Sequence, residues 1–328
     1  MRRRRDRRLA GRRGGAAGRG RGGSGVKLGV TPWLGGERSA AALTEQARQA
    51  ESLGYESFWL PENHFNPGAI PDPLMLLAAV AAGTSSIRLA TTSYLLPLRH
   101  PIQAAEQVAV LDQLSEGRVL LGVGRGYAAP MLAAFDIDAR HKRSLFEACL
   151  GRMIEAWSGA PLAGGMVLDP LPVQKPHPPV WVAAFGPKAL DQAGRLGLPY
   201  LASPMEPLAT LADNLRRHRS AAAQADRALE PVVPVMRTVF VTESAAETAA
   251  LRDALAAQAR ALPGREVPAD VDAWAIVGEA GAVRERVAEY REALGMTHLI
   301  VARPRLGELP AARLTRAVAV AAELLGGS

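Results

Sequence analysis

The chain has 328 residues, 48% of them apolar, and one cysteine, Cys149. Its formal charge is +7, but the first 25 residues hold ten Arg and one Asp, a charge of +9, so residues 26–328 stand at −2. That balance removes the basic folded surface of a nucleic-acid-binding domain, the lone cysteine excludes an intramolecular disulfide, and no apolar run approaches the ~20 residues of a membrane-spanning helix.

The leader, MRRRRDRRLAGRRGGAAGRGRGGSG, lacks the apolar segment of a secretory signal. Its Gly content and Arg repulsion predict disorder over residues 1–25. A phosphate-touching arm and a functionless extension with Val26 as the true start are both open, and composition favours the second. The remainder, 26–328, is expected to be one cytoplasmic domain without nucleic-acid or membrane partners.

From Val26 short apolar runs alternate with longer amphipathic segments, the pattern of repeated βα units around a parallel sheet. Strands are predicted at 26–30, 56–60, 87–93, 118–123, 180–184, 199–203, 233–241 and 297–302. Helices are predicted between them. In 39–53, Leu43, Ala47 and Ala50 share a face and Gly54 ends the run; 101–116 has Pro101 in its first turn and Gly117 beyond its last. Eight strands with near-continuous apolar runs, such as Val119-Leu120-Leu121, predict an α/β fold. A closed (β/α)8 TIM barrel fits them better than an open doubly wound sheet. Between strands four and five, residues 159–179 (GAPLAGGMVLDPLPVQKPHPP) break the rhythm as a Pro-rich insertion, expected to cover one end of the barrel as a lid.

In such a barrel the C-terminal strand ends share one mouth, where sites are built. The stretch LPENHFNPGAIPDP puts Glu62, Asn63 and His64 after the second strand. Thr92 and Ser93 end the third, Gly124, Arg125 and Gly126 follow the fourth, and Phe185, Gly186 and Lys188 follow the fifth. GVGRGYAAP lacks the third glycine of the dinucleotide fingerprint. An Arg between glycines suits a phosphate monoester, and it suits equally an ion pair with a surface carboxylate in a tight turn. FGPKAL opens a helix whose free N–H groups favour an anion, with Lys188 in its first turn. Three roles stay open for His64: general base, metal ligand or hydrogen-bonded loop residue. No Cys or second nearby His at zinc spacing supports the metal. His100 either faces the mouth or caps the helix at Pro101, and Cys149 reads as core.

Three stretches together resemble the bacterial luciferase-like flavin-dependent monooxygenases, over roughly residues 26–302. They are E-x-H-F after strand two, ATTSYLLPLRHPIQAAEQVAVLDQLSEGRVLLGVGRGY through strands three and four, and VAAFGPKALDQAGRLGLPYL after the insertion. The resemblance implies a (β/α)8 barrel binding FMN, or in a sister branch a 5-deazaflavin coenzyme, at the strand ends. It implies phosphate contacts from Arg125 and the Gly186 amide, a non-prolyl cis peptide at Thr92-Ser93 under the flavin ring, and a place beside that ring for the backbone around Glu106. Glu62, Gly124, Gly126, Phe185 and Lys188 complete the expected cofactor set.

Luciferases proper carry E-H-H-F with a catalytic first histidine; here Asn63 stands in that place, and an amide does not shuttle protons at neutral pH. His64 is therefore the expected catalytic group, with Asn63 orienting. The expected function is an FMN-dependent monooxygenase or related oxidoreductase of a small organic substrate, using reduced flavin and dioxygen. No nicotinamide fingerprint is visible, so a separate flavin reductase is an expected partner, and a homodimer is expected. The alternatives are a deazaflavin-dependent hydride-transfer enzyme and a non-catalytic flavin-binding protein on the same barrel.

Overall fold

The computed structural model describes residues 25–34, 39–261, 267–304 and 309–326. The expectation for the leader therefore lies outside the described residues, Gly25 excepted.

The strands are β1 (Lys27–Val30), β2 (Ser57–Leu60), β3 (Arg88–Thr91), β4 (Tyr94–Leu95), β5 (Val119–Gly124), β6 (Val180–Ala183), β7 (Tyr200–Leu201), β8 (Pro234–Val241), β9 (Ala275–Gly278) and β10 (His298–Ala302). The helices are α1 (Ala40–Ser52), α2 (Pro73–Gly83), α3 (Pro101–Leu114), α4 (Ala129–Ala134), α5 (Lys142–Trp157), α6 (Pro187–Arg195), α7 (Leu208–Gln224), α8 (Ala245–Arg260), α9 (Ala280–Leu294) and α10 (Ala311–Leu325). Side-chain oxygens start several of them. Ser39 accepts from the Ala42 N–H, Asp72 from Leu74 and Met75 ahead of Pro73, and Ser244 from Glu247.

Most predicted strands stand within a residue of their expected bounds. Three corrections apply. The run 87–93 is interrupted after Thr91 and resumes as β4, 199–203 contracts to two residues, and β9 was not anticipated. Its four residues, AIVG, are too short a run to separate from the flanking loop by pattern.

All ladders are parallel, in the order β7-β6-β5-β3-β2-β1-β10-β8-β9 with β4 beside β5. The sheet curls on itself. Trp59, Ala90, Leu120, Trp181, Leu201, Met236 and Ile300, one from each of seven strands, form an inner cluster separate from the larger core between sheet and helices. Trp59 and Trp181 lie on non-adjacent strands, yet their rings are 5.4 Å apart. The eighth strand of this layer, β1, contributes Gly29, where an added Cβ would sit 2.5 Å from the Trp59 indole nitrogen; the missing side chain is the space that Trp59 fills.

The expected closed ring is not completed by hydrogen bonds, because no ladder joins β7 to β8 among the described residues. The unforeseen β9 takes the Thr238–Val241 half of that edge of β8, and Pro234 at its start has no N–H to offer. A side chain spans the seam instead. The buried Arg237 donates to the Ser203 carbonyl (2.9 Å) and the Glu206 carbonyl (2.6 Å) beyond β7, and to the Tyr290 hydroxyl (3.0 Å) on α9. Glu206 in turn accepts from Tyr200 of β7 (2.8 Å) and from Asn214 of α7 (2.8 Å).

The insertion is not a lid over the mouth. Gln174 accepts from Arg88 at the start of β3, and it donates to the Val119 carbonyl at the start of β5 and to Asp112 near the end of α3. Residues 159–179 therefore brace the N-terminal strand ends, opposite the mouth. The chain reaches this end because α5 has already run the depth of the fold before the insertion begins.

Candidate functional site

Glu62 follows β2 with its side chain fully buried. One oxygen, Oε1, accepts from Arg99 Nη2 (2.7 Å) and lies 3.0 Å from His64 Nε2; the other, Oε2, accepts from the Leu95 N–H (3.0 Å). Burial pushes the carboxyl above its usual range, and Arg99, the Leu95 N–H and His64 work against that shift. When Glu62 is ionised its bond to His64 needs the proton on Nε2. Nδ1 is then the atom free to take or give a proton. Arg99 also lies over the Tyr94 ring, 4.4 Å from its centroid.

Asn63 is engaged elsewhere: its side-chain oxygen accepts from the Ile70 N–H (2.7 Å). The Thr92-Ser93 peptide is cis, as the resemblance implied. Gly124 stands beside it, where a Cβ would lie 2.2 Å from Ser93 Oγ, so only glycine lets the two strand ends approach.

Arg125 is 7% exposed and packs its guanidinium 4.5 Å over Phe146. Nε donates to Gln192 (2.8 Å), Nη1 to the Ala183 carbonyl (2.9 Å) and Nη2 to the Ala189 carbonyl (3.3 Å). Those bonds use three of its five N–H groups. Desolvation, with repulsion from Arg143, pushes its pKa down to about 10. Lys142, bonded to the Gly126 carbonyl (3.3 Å), is lowered by burial and by the same two arginines. Arg125 thus ties the turn after β5 to the turn after β6, where Gly186 (φ 79) precedes α6. Three cations and a helix N-terminus meet there, with Glu147 the acid among them.

The other expected residues make no side-chain hydrogen bond to these two groups among the described residues. Glu106 is exposed on the outer helix α3, Phe185 and Lys188 are exposed beside Gly186, and His100 sits at the α3 N-cap without a side-chain cap bond. Cys149 is buried, its thiol pushed up to about 11. Arg99, Gln192, Lys142 and Arg143 were missed. Arg99 stands in the LPLRHP run beside His100, and Lys142-Arg143 is a readable basic pair at a helix start.

The family model for luciferase-like monooxygenases matches residues 21–298. The chain belongs to that family. It is an enzyme family whose members use FMN or coenzyme F420. The oxygenase component of a flavin-dependent trigonelline monooxygenase from Acinetobacter baylyi is 27% identical over 219 residues, 62% of this chain and 59% of that one. The chain spans about half the length of the first curated relatives it matches, such as one from Sinorhizobium fredii at 34% identity, of which 47% is covered. Among solved structures, monooxygenase RslO1 from Streptomyces bottropensis superposes with TM-score 0.79 at 25% identity, covering 91% of this chain and 98% of that one. The FMN-bound oxygenating constituent of 3,6-diketocamphane monooxygenase from Pseudomonas putida follows at TM-score 0.76, 21% identity and 92% and 98% coverage. The coenzyme F420-dependent tetrahydromethanopterin reductase from Methanopyrus kandleri has TM-score 0.74, 18% identity and 92% and 99% coverage. These likenesses place the curled sheet in the luciferase-like TIM-barrel fold. Among the described residues no helix is long and apolar enough to cross a membrane.

Proposed function

We propose that this family member is an FMN-dependent monooxygenase of a small organic substrate, supplied with reduced flavin by a separate reductase and working as a homodimer. One observation carries the reading: a buried Glu62–His64 pair and a cationic turn set, Arg125 with Lys142 and Arg143, stand at the C-terminal end of the sheet, after β2 and β5 with β3 between them. The donor set suits a phosphate monoester. Arg125 keeps two N–H groups beyond its three internal bonds, and the α6 N-terminus adds backbone donors. In this reading the curled sheet is the family's eight-stranded barrel, latched at the β7–β8 seam by Arg237.

Bound reduced FMN would supply the electrons with which dioxygen is activated. The chain's own residues then have distinct tasks. Arg125, Arg143, Lys142 and the Gly186 amide hold the phosphate, while Thr92, Ser93, Gly124 and Gly126 form the wall beside it. Glu62 holds His64 through its Nε2 and fixes its tautomer, and His64 moves a proton at Nδ1. Arg99 works against the burial that pushes the Glu62 carboxyl up. Asn63, whose oxygen serves Ile70, supports the loop rather than the proton.

FMN is preferred over a deazaflavin because the relatives at 25% identity and above include named monooxygenases, whereas the F420-dependent reductase reaches 18%. The test is a titration of purified protein with FMN, reduced FMN and coenzyme F420, followed by oxygen uptake with reduced FMN and a substrate panel. Binding of F420 alone without oxygen uptake would move the chain to the hydride-transfer branch. No binding of any of the three at millimolar concentration would remove the flavin reading.

A further inference from the structure

The loop after β2 is pinned at its neck. Asn63 meets Ile70 twice: its backbone N–H donates to the Ile70 carbonyl (3.0 Å) and its side-chain oxygen accepts the Ile70 N–H (2.7 Å). Within the loop the Ala69 N–H closes onto the Asn66 carbonyl (2.9 Å). Asn63 is the residue at which this sequence departs from E-H-H-F, and here the departure serves as a clamp.

What the clamp holds is Phe65. Its φ is 64, in the left-handed region where a bulky side chain clashes with its own backbone, and 72% of the residue is exposed. Burial does not offset that conformation. A second aromatic faces it. Phe135, 37% exposed, closes α4, and the chain turns away immediately afterwards through Asp136 at φ 58. His64 lies edge-on to Phe135 at 4.9 Å and 6.0 Å from Phe65, while the two phenyl rings are 5.8 Å apart. These spacings fall in the range of favourable ring pairs. A purely structural cluster would bury its rings; this one turns Phe65 to solvent next to the residue that moves the proton.

We propose, on the reading that this mouth is the reaction site, that loop 63–70 presents Phe65, with Phe135 and His64, as a subsite for an uncharged planar ring of the organic substrate. The three rings offer faces and edges, and Glu62 behind His64 is already matched by Arg99. The subsite therefore selects flatness and apolar surface rather than charge. A ring seated there also covers His64 from water, which strengthens its bond to Glu62.

The test compares 2-naphthol with 1-decanol, equal in carbon number and hydroxyl, by calorimetric titration of the full chain with and without FMN. 2-Naphthol should bind at least tenfold tighter, although decanol is the more apolar molecule. Phe65→Gly should weaken 2-naphthol about tenfold, the scale of a lost ring pair, and leave 1-decanol and FMN within twofold. The same substitution should leave the melting temperature equal or slightly raised, because glycine accepts φ 64. Phe65→Leu, which keeps apolar area without a ring, should also weaken 2-naphthol. Equal binding of the two alcohols overturns the proposal. So does a fall of several degrees in the Phe65→Gly melting temperature, which makes the ring structural, or a change in that variant's sedimentation, which makes it a subunit contact. If FMN fails to bind while 2-naphthol still depends on Phe65, the flavin reading falls and the subsite stands; if FMN binds without ring preference, the subsite alone falls.

Discussion

Replacing Arg125 by alanine removes two things at once, and the structure says how to separate them. Toward a phosphate the loss is a charge-assisted contact worth about 2 kcal/mol, or roughly thirtyfold in affinity, and riboflavin, which lacks the phosphate, should bind within twofold of wild type. Toward the fold the loss is three internal bonds, to Gln192, Ala183 and Ala189, each about 1.5–3 kcal/mol for a charged donor. Against that stands relief of a buried charge. The guanidinium pKa is driven from 12.5 to about 10, roughly 3 kcal/mol held against the charged form, a penalty present at every pH below about 10 and lifted only as the folded protein loses that proton. The difference leaves Arg125→Ala destabilised by about 3 kcal/mol, a melting temperature lower by roughly 6–10 °C. Arg143→Ala is the clean partner variant: it removes repulsion on Arg125, so stability should hold while FMN weakens by about 1 kcal/mol. The assay is quenching of flavin fluorescence by both ligands, with thermal melts in parallel. Equal weakening of FMN and riboflavin by Arg143→Ala would refute the reasoning, as would unchanged FMN affinity in both variants.

His64→Asn should lower turnover by about 100-fold or more while leaving flavin affinity near wild type, read from steady-state rates beside a binding titration. Asn63→His should cost about 1–2 kcal/mol in a denaturation curve, because the Ile70 N–H loses its acceptor, and it should add an ionisation near neutrality to the pH–rate profile. Arg237→Met should cost about 3–5 kcal/mol in urea unfolding, since it strands the Ser203 and Glu206 carbonyls and the Tyr290 hydroxyl; a cost below 1 kcal/mol would show that the seam needs no latch. The Glu51 carboxylate accepts from the N–H groups of Ser85, Ser86 and Ile87 and from the Ser86 hydroxyl. Burial opposes them, but together they lower its pKa from 4.5 to about 2. A lowered acid stabilises fully above pH 4.5 and loses that contribution as pH falls toward 2, so Glu51→Gln should flatten this part of the acid-unfolding curve.

Strands such as β5 and β10 were legible because a buried parallel strand is an unbroken apolar run, and α1 and α3 because glycine and proline mark their ends. Glu62 and His64 were legible as candidate site residues after β2, but their bond to each other was not read from the sequence, which put Glu62 in the cofactor set. Arg99 was not legible, because its contact depends on the chain returning through β4. The same reason hid the Arg125 cage: Gln192 is 67 residues away, and only the packing of α6 brings it there. The insertion was misplaced since composition reveals a proline-rich loop but not which end of the strands it meets, a fact carried by Gln174 and its distant partners. Asn63 occupies a catalytic position of the motif, while its geometry is that of a loop fastener on Ile70.

The seam between β7 and β8 has a further consequence for how the molecule breathes. A ladder opens one weak bond at a time, whereas among the described residues the hydrogen bonds across this junction come from one buried cation, so its release exposes several carbonyls together and makes opening there a cooperative event. Amide hydrogen exchange at Tyr200, Leu201 and the first residues of β8 should therefore share one opening free energy, lower than that of β1 or β10. The edges laid bare would be short, two residues on one side and a proline-led half-strand on the other, which leaves a foreign strand little to grip.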